Sequence, residues 1–155
     1  MKTMILAAGY GKRLLPVTKE IPKPLLKVSN KTLIQRNIET LIDSGFDEIV
    51  INISYLGSMI IEHVRKCFPL VNIKFSQEEI PLGTGGGVMK ALDILGKDPF
   101  LLINSDIFHD INIKDLKQYT EKAHIVGVSN PNHNLNGDFS LDGNKVVIKK
   151  DQNDL

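Results

Sequence analysis

The chain of 155 residues is 42% hydrophobic and 24% charged, a composition typical of a globular protein with one sizeable core, and it is predicted to form one domain over 1–155. Only 6% of its residues are aromatic and none is Trp, so a platform that stacks nucleic-acid bases is not expected. A single cysteine, Cys67, excludes an internal disulfide, and the sequence has neither a membrane-length apolar run nor a signal-peptide pattern, which together predict a cytoplasmic protein.

The net charge of +1 is unevenly distributed along the chain. Residues 1–31 contain seven Lys or Arg and one acid, Glu20, so this segment alone carries a formal charge of +6. Such a concentration of positive charge attracts anions. For part of it a solvated lysine surface is the simpler interpretation, namely for Lys2, Lys19, Lys27 and Lys31.

Short apolar runs alternate with helical patterns along the chain. The runs predict strands over 4–8, 48–52, 71–75, 100–104 and 123–128, followed by a hairpin of 139–141 and 145–148 around Asp142-Gly143. Helices are predicted over 33–42, 56–67, 84–95 and 113–120, with Gly45 and Gly96 ending the first and third. Strand–helix alternation with short connections predicts a Rossmann-like α/β fold, in which helices cover both faces of a mostly parallel sheet.

A glycine loop follows the first predicted strand. Gly9-x-Gly11 places two residues that tolerate positive φ where the backbone must bend, and such turns direct consecutive N–H groups toward phosphate oxygens. A dinucleotide-binding loop would have a third glycine at position 14, which is Leu14 here, and Pro16 interrupts the segment. A Walker loop is also absent. The loop is therefore neither of the two common nucleotide-binding loops.

Two cations accompany the loop. Arg13 supplies a planar fork for bidentate contact with phosphate, and Lys23 supplies a point charge ten residues further on. Prolines at positions 16, 22 and 24 restrict the backbone between and around them, so Lys23 is expected to be held in place. On spacing alone, an ordinary loop lysine between prolines explains Lys23 equally well.

A carboxylate follows the fourth predicted strand. Ligands of open α/β sheets bind beyond the carboxyl ends of the strands, where Asp106 lies. Mg²⁺ typically takes one or two carboxylates and completes its shell with phosphates and water, so Asp106 is a candidate ligand. A turn or capping role is the structural alternative. A glycine-rich run, 83–87, opens the third helix and would allow a ligand to approach the backbone closely.

Taken together, these features resemble those of the sugar-1-phosphate nucleotidyltransferases, the nucleotide-sugar pyrophosphorylases. The resemblance rests on Leu6-Ala-Ala-Gly9-x-Gly11-x-Arg13, Pro16-x-Thr18, Pro22-Lys23-Pro24, Pro81-Leu-Gly-Thr-Gly-Gly-Gly87 and Asp106. A further motif, Asn130-Pro131-x-His133-x3-Gly137-Asp138-Phe139, is similar to that of the branch of the family that uridylylates N-acetylmuramic acid 1-phosphate in bacterial cell-wall recycling.

The resemblance implies a nucleotide-diphospho-sugar transferase fold and a Mg²⁺-dependent reaction in which UTP and a sugar 1-phosphate give a UDP-sugar and pyrophosphate. It implies catalytic roles for Arg13, Lys23 and Asp106, with Asp106 as the metal ligand. The nucleotide-binding residues that it implies are Leu6, Ala8, Gly9, Gly11, Arg13, Lys23, Gly83, Thr84, Gly85, Gly86 and Asn104. Asn130 and Gly137 are the expected sugar-binding residues, and neither nucleic acid nor membrane is an expected partner.

Two departures from the family pattern bear on activity. Ser105 stands where the family usually has Gly before the metal-binding Asp. The resemblance also covers only the N-terminal two-thirds or so of such an enzyme, so the chain is expected to be truncated at its C-terminus and to lack a second metal-binding Asp.

Three alternative functions stay open from the sequence. The first is a guanylyl- or thymidylyltransferase acting on another sugar 1-phosphate, and the second is a nucleotide-binding module without turnover. A dinucleotide-dependent oxidoreductase is disfavoured by Leu14 and Pro16. The oligomeric state is not predicted.

Overall fold

The computed structural model describes residues 1–117, 122–132 and 134–147, and it divides the chain into two units, Met1–Tyr119 and Thr120–Leu155. The first unit contains four strands of one sheet: β1 (Thr3–Leu6), β4 (Glu48–Ile53), β5 (Asn72–Gln77) and β6 (Leu101–Asn104). Its α-helices are α1 (Leu33–Asp43), α2 (Gly57–Cys67) and α3 (Gly83–Leu95). A two-stranded antiparallel pair, β2 (Lys27–Val28) and β3 (Lys31–Thr32), precedes α1.

All four strands of the sheet are parallel, in the order β5-β4-β1-β6. The chain therefore moves outward from β1 through β4 to β5 and then returns to the other side of β1 to form β6. Strand order reverses between β1 and β6, and in open α/β sheets the carboxyl ends of the strands at such a point form the ligand-binding crevice. The glycine loop follows β1 and Asp106 follows β6, so both lie at this point.

Successive residues of the strands pack on opposite faces of the sheet. Ile5 contributes to a buried cluster with apolar side chains of α1 and α2, whereas Met4 and Val50 pack with Ala91 and Leu95 of α3. Helices therefore cover both faces, which confirms the predicted fold class.

Helix ends follow local signals in the sequence. Thr32 caps the N-terminus of α1 because its side-chain oxygen accepts a hydrogen bond from the Gln35 N–H at 3.2 Å. Gly45 and Gly96, with φ of 76° and 86°, lie just past the ends of α1 and α3 as predicted.

Three predictions about elements were wrong. Residues 123–128 form no strand, since no neighbouring strand pairs with them among the described residues, and Val128 is 81% exposed. The fourth predicted helix is a 3₁₀ segment over Ile113–Lys117, and its remaining residues lie outside the described ranges. β6 is not buried, because it is an edge strand in the first unit's sheet and leaves Leu102 38% exposed.

The described part of the second unit contains the predicted hairpin. Its strands, β7 (Ser140–Asp142) and β8 (Lys145–Val147), pair antiparallel, and Gly143 adopts a φ of 58° in the turn. The predicted strand residue Ile148 lies outside the described ranges. None of the described helices combines the length and apolar character that crossing a membrane would require.

Candidate active site

An open cavity of about 360 Å³ lies at the carboxyl ends of β1 and β6, and all the residues lining it belong to the first unit. It brings together most of the residues predicted to bind nucleotide or act in catalysis: Leu6, Ala8, Gly9, Gly11, Arg13, Lys23, Gly83, Thr84, Asn104 and Asp106. Gly85 and Gly86 do not line it, because α3 begins at Gly83 and carries them away from the cavity wall.

The glycine loop is held by Thr18. The Thr18 hydroxyl donates a hydrogen bond to the Gly11 carbonyl at 2.9 Å, and the side chain is fully buried. Gly11 has a φ of 65°, and a methyl group added there would lie 2.9 Å from Thr18 Cγ2. A methyl group added at Gly9 would meet nothing within 4 Å. Only Gly11 is therefore required by the fold of the loop, whereas Gly9 leaves space in the cavity.

The two cations of the loop differ in their partners. Lys23 forms an ion pair with Asp106, and the two side chains are 28% and 29% exposed. Arg13 is exposed, and its guanidinium makes no hydrogen bond or ion pair with the described residues. Arg13 is thus available to an anion in the cavity, while Lys23 and Asp106 neutralise one another.

Asn37 of α1 supports the backbone on both sides of Asp106. Its Nδ2 lies 3.2 Å from each of the Ser105 and Ile107 carbonyl oxygens, and 3.0 Å from the Leu33 carbonyl oxygen. Ser105 is buried and its N–H donates to the Leu6 carbonyl at 3.1 Å. Sequence reasoning missed Asn37, although an amide on the apolar face of a predicted helix is a signal of such a role.

A second buried network joins the opposite walls of the cavity. The Ala7 N–H donates to Asn52 Oδ1 at 2.9 Å, and Asn52 Nδ2 donates to Glu78 Oε1 at 2.7 Å. The Leu82 N–H donates to Glu78 Oε2 at 2.8 Å. Asn52 and Glu78 are each 2% exposed. Neither residue was predicted from the sequence, although the polar Asn52 in an apolar strand was an available signal.

The glycine-rich run that begins α3 serves several purposes. Gly83 has a φ of 73° and lines the cavity. A methyl group at Gly86 would lie 2.7 Å from Leu82 Cβ, and one at Gly87 would lie 2.7 Å from Asn52 Nδ2. Gly85 has open space around it. Part of this run is therefore glycine because of packing rather than ligand contact.

The two residues predicted to bind sugar lie in the second unit. Asn130 Nδ2 donates to the Leu135 carbonyl at 2.9 Å, and Gly137, with a φ of 64°, lies against the Asn130 side chain. A methyl group at Gly137 would overlap Asn130 Oδ1 at 2.4 Å. His133 of the same motif lies outside the described residues. Sugar binding by this pair stays a prediction.

A metal at this site would depend on Asp106, the one acidic side chain among the described residues that line the cavity. No group of three or more His, Cys, Asp or Glu in the described ranges is placed to hold a metal ion. The Asp106 Oδ1 accepts no hydrogen bond from any described residue. A single carboxylate with one free oxygen fits Mg²⁺, which takes most of its ligands from water and substrate phosphates.

Perturbed pKa values occur away from the cavity. Burial, with Lys27 and Lys66 nearby, lowers the pKa of His63, whose Nε2 lies 2.9 Å from Thr32 Oγ1. For Glu39, burial would raise the pKa, but hydrogen bonds from Lys31 and Gln35 outweigh it and the pKa is lowered. Neither residue lines the cavity.

Residues 2–137 match the sequence profile of the family described as nucleotidyl transferase. The chain belongs to this family. It is 44% identical over 149 residues to the N-acetylmuramate alpha-1-phosphate uridylyltransferase of Neisseria meningitidis serogroup B, covering 91% of this chain and 64% of that protein. It is 41% identical over 128 residues to a mannose-1-phosphate guanyltransferase of Saccharomyces cerevisiae, covering 80% of this chain and 35% of that protein.

Solved structures of nucleotidyl transferase relatives share the fold. The HddC protein of Yersinia pseudotuberculosis, in complex with GMP-PN, superposes with a TM-score of 0.66 at 37% identity, over 74% of this chain and 52% of that one. A UDP-glucose pyrophosphorylase in complex with UDP-glucose superposes with a TM-score of 0.59 at 26% identity, over 74% and 51%. The chain thus spans about half the length of these structures and 64% of the uridylyltransferase. The resemblance to the sugar-1-phosphate nucleotidyltransferases is confirmed.

Proposed function

We propose that this chain is the nucleotide-binding part of a sugar-1-phosphate nucleotidyltransferase that transfers a uridylyl group from UTP to N-acetylmuramic acid 1-phosphate, in the cytoplasm and in cell-wall recycling. The observation that carries the proposal is the cavity at the carboxyl ends of β1 and β6, where a glycine loop, the Lys23–Asp106 pair and an Arg13 without a partner among the described residues lie together. The relative with uridylyltransferase activity, 44% identical over 91% of the chain, supports the choice of substrates.

In the proposed reaction, a phosphate oxygen of the sugar 1-phosphate forms a bond to the α-phosphorus of UTP. The bond from that phosphorus to the oxygen bridging the α- and β-phosphates breaks, and pyrophosphate leaves with the electron pair. Since the second pKa of a phosphate monoester is about 6, the attacking oxygen is mostly ionised at neutral pH and needs no general base. The barrier then depends on positioning two anions and neutralising their charge.

The residues of the cavity divide these tasks. Arg13 binds the β- and γ-phosphates and stabilises the departing pyrophosphate with its bidentate fork. When UTP binds, Lys23 breaks its ion pair with Asp106 and contacts a phosphate oxygen on the reacting phosphorus. The Asp106 carboxylate would then be free to hold Mg²⁺. When bound, Mg²⁺ supplies further charge neutralisation on the triphosphate. The backbone from Ala8 to Gly11 presents N–H donors to the phosphates, and Gly83 and Thr84 lie along the nucleoside.

The test is pyrophosphate release by this chain with UTP, GTP or dTTP, each combined with the 1-phosphates of N-acetylmuramic acid, mannose and glucose. Release that is fastest with UTP and N-acetylmuramic acid 1-phosphate is expected. Faster release with GTP and mannose 1-phosphate would instead support the second candidate, a guanylyltransferase, which the 41% identity to the Saccharomyces cerevisiae protein favours. Saturable UTP binding without release above background would leave a nucleotide-binding module.

A further inference from the structure

We propose that Asn52 and Glu78 form a positioning pair that fixes the spacing between the two walls of the nucleotide cavity, and so determines the affinity for the triphosphate. This inference rests on the proposed function. Neither residue is assigned to phosphate contact; each acts through backbone that lines the cavity.

The pair connects three separate segments. Asn52, on β4, accepts from Ala7 in the glycine-loop wall at 2.9 Å, and Glu78 accepts from Leu82 in the wall before α3 at 2.8 Å. The 2.7 Å bond between Asn52 Nδ2 and Glu78 Oε1 closes the connection. Ala7, Asn52, Pro81 and Gly83 all line the cavity, so the network joins one wall to the other.

Burial argues against a role in stability alone. A carboxylate that is 98% removed from water loses hydration, and Glu78 forms no ion pair with any described cation. Its compensation is a hydrogen bond to each carboxylate oxygen. Apolar side chains would fill this space at lower cost in solvation, so the network is better explained by the geometry that it imposes.

The pair is also in close contact with α3. Gly87 lies against it, and a methyl group there would come within 2.7 Å of Asn52 Nδ2 and 2.9 Å of Glu78 Oε1. α3 therefore approaches β4 as closely as the pair allows. The position of the α3 N-terminus, and of Gly83 at the cavity, depends on these two side chains.

The role of the pair can be tested by swapping the amide and the carboxylate between positions 52 and 78. The three bonds need three acceptor atoms and one internal donor, which Asn52 and Glu78 supply. Glu78→Gln leaves only two acceptors. Asn52→Asp removes the internal donor and places two carboxylates next to each other. The double variant Asn52→Asp/Glu78→Gln restores three acceptors and one donor, with reversed direction in the central bond.

The experiment measures the Kd for UTP with Mg²⁺ by calorimetry, together with amide hydrogen exchange at Ala7 and Leu82 in the absence of nucleotide. Each single variant is expected to raise Kd about tenfold, and each should lose exchange protection at one or both amides. The double variant should return Kd to within twofold of the parent and restore protection. Ile60→Val, in the α2 core, is the control for lower stability and should leave Kd unchanged.

Two outcomes in the variants' Kd values would overturn the positioning role. The first is a double variant that folds and regains protection but binds UTP as weakly as the singles. The second is an equal rise of Kd in Ile60→Val at a matched fall in melting temperature. If the parent protein binds no nucleoside triphosphate while the exchange pattern holds, the proposed function fails and the pair is only a structural brace. If hydrogen-exchange protection at the Ala7 and Leu82 amides is the same in every variant as in the parent, the hydrogen-bond network itself is refuted.

Discussion

Two groups of polar side chains lie in or next to the walls of the cavity, and they differ in exposure and in their hydrogen-bond partners. The charged group, in which every side chain is ionic and either exposed or half-buried, comprises Arg13, Lys23 and Asp106. The buried group, at most 3% exposed, comprises Asn37, Asn52 and Glu78. Side chains of the buried group bond to backbone of other elements, whereas those of the charged group face the cavity or each other. In the proposed reaction the charged group contacts substrate, and the buried group holds in place the backbone that carries the charged side chains.

Substitution of Asp106 should have the largest effect. In the proposed reaction its carboxylate holds Mg²⁺, so Asp106→Ala is expected to abolish Mg²⁺-dependent pyrophosphate release at all accessible Mg²⁺ concentrations. The control is Asp43→Ala, which removes an exposed acid at the end of α1 that does not line the cavity. Activity of Asp106→Ala that returns in excess Mg²⁺ would refute the ligand assignment.

Lys23→Ala should lower turnover more than it weakens binding. If Lys23 stabilises charge at the reacting phosphorus, kcat falls by about 10²- to 10³-fold, as for removal of one preorganised donor, while the Kd for UTP changes by much less. Lys19→Ala, an exposed lysine of the same basic segment, is the matched control. Equal kcat in Lys23→Ala and the unsubstituted protein would remove Lys23 from the mechanism.

A substitution in the buried group should act differently. Asn37→Leu leaves the Ser105 and Ile107 carbonyls without their donor, so the backbone on both sides of Asp106 loosens. The Mg²⁺ concentration for half-maximal activity should rise several-fold, and the free energy of unfolding should fall by about 1–3 kcal/mol. Should Ile60→Val, at equal loss of stability, raise the Mg²⁺ requirement as much, Asn37 would have no specific role at Asp106.

The charged group was identified from the sequence, whereas the contacts of the buried group were not. Gly9, Gly11 and the prolines mark a turn after a strand, and Asp106 follows an apolar run, so position along the chain singled out these residues as candidates and the family resemblance supplied their expected roles. Asn52 and Glu78 are 26 residues apart, and their contact depends on β4 and β5 pairing in register. Hydrophobic periodicity in the sequence does not predict which strands pair or in which register.

The same limit explains the wrong strand at 123–128. An apolar run has strand propensity, but a strand also needs a hydrogen-bonding neighbour, and none pairs with this run among the described residues. By contrast, the run at Thr3–Leu6 has β4 on one side and β6 on the other. Propensity was equal evidence in both cases, and only tertiary pairing separated them.

The smallest expected effects separate the two glycines of the loop. Gly11→Ala forces a left-handed φ on a residue with a side chain and brings its methyl group against Thr18, so the free energy of unfolding should fall by about 1–3 kcal/mol. Gly9→Ala places its methyl group in open space, so stability should stay within about 0.5 kcal/mol of the parent while UTP affinity falls. Urea unfolding and UTP titration of both variants make the measurement. A loss of stability in Gly9→Ala as large as that in Gly11→Ala would show that both glycines are required by the fold. A specific role of Gly9 in leaving space for the nucleotide would then be refuted.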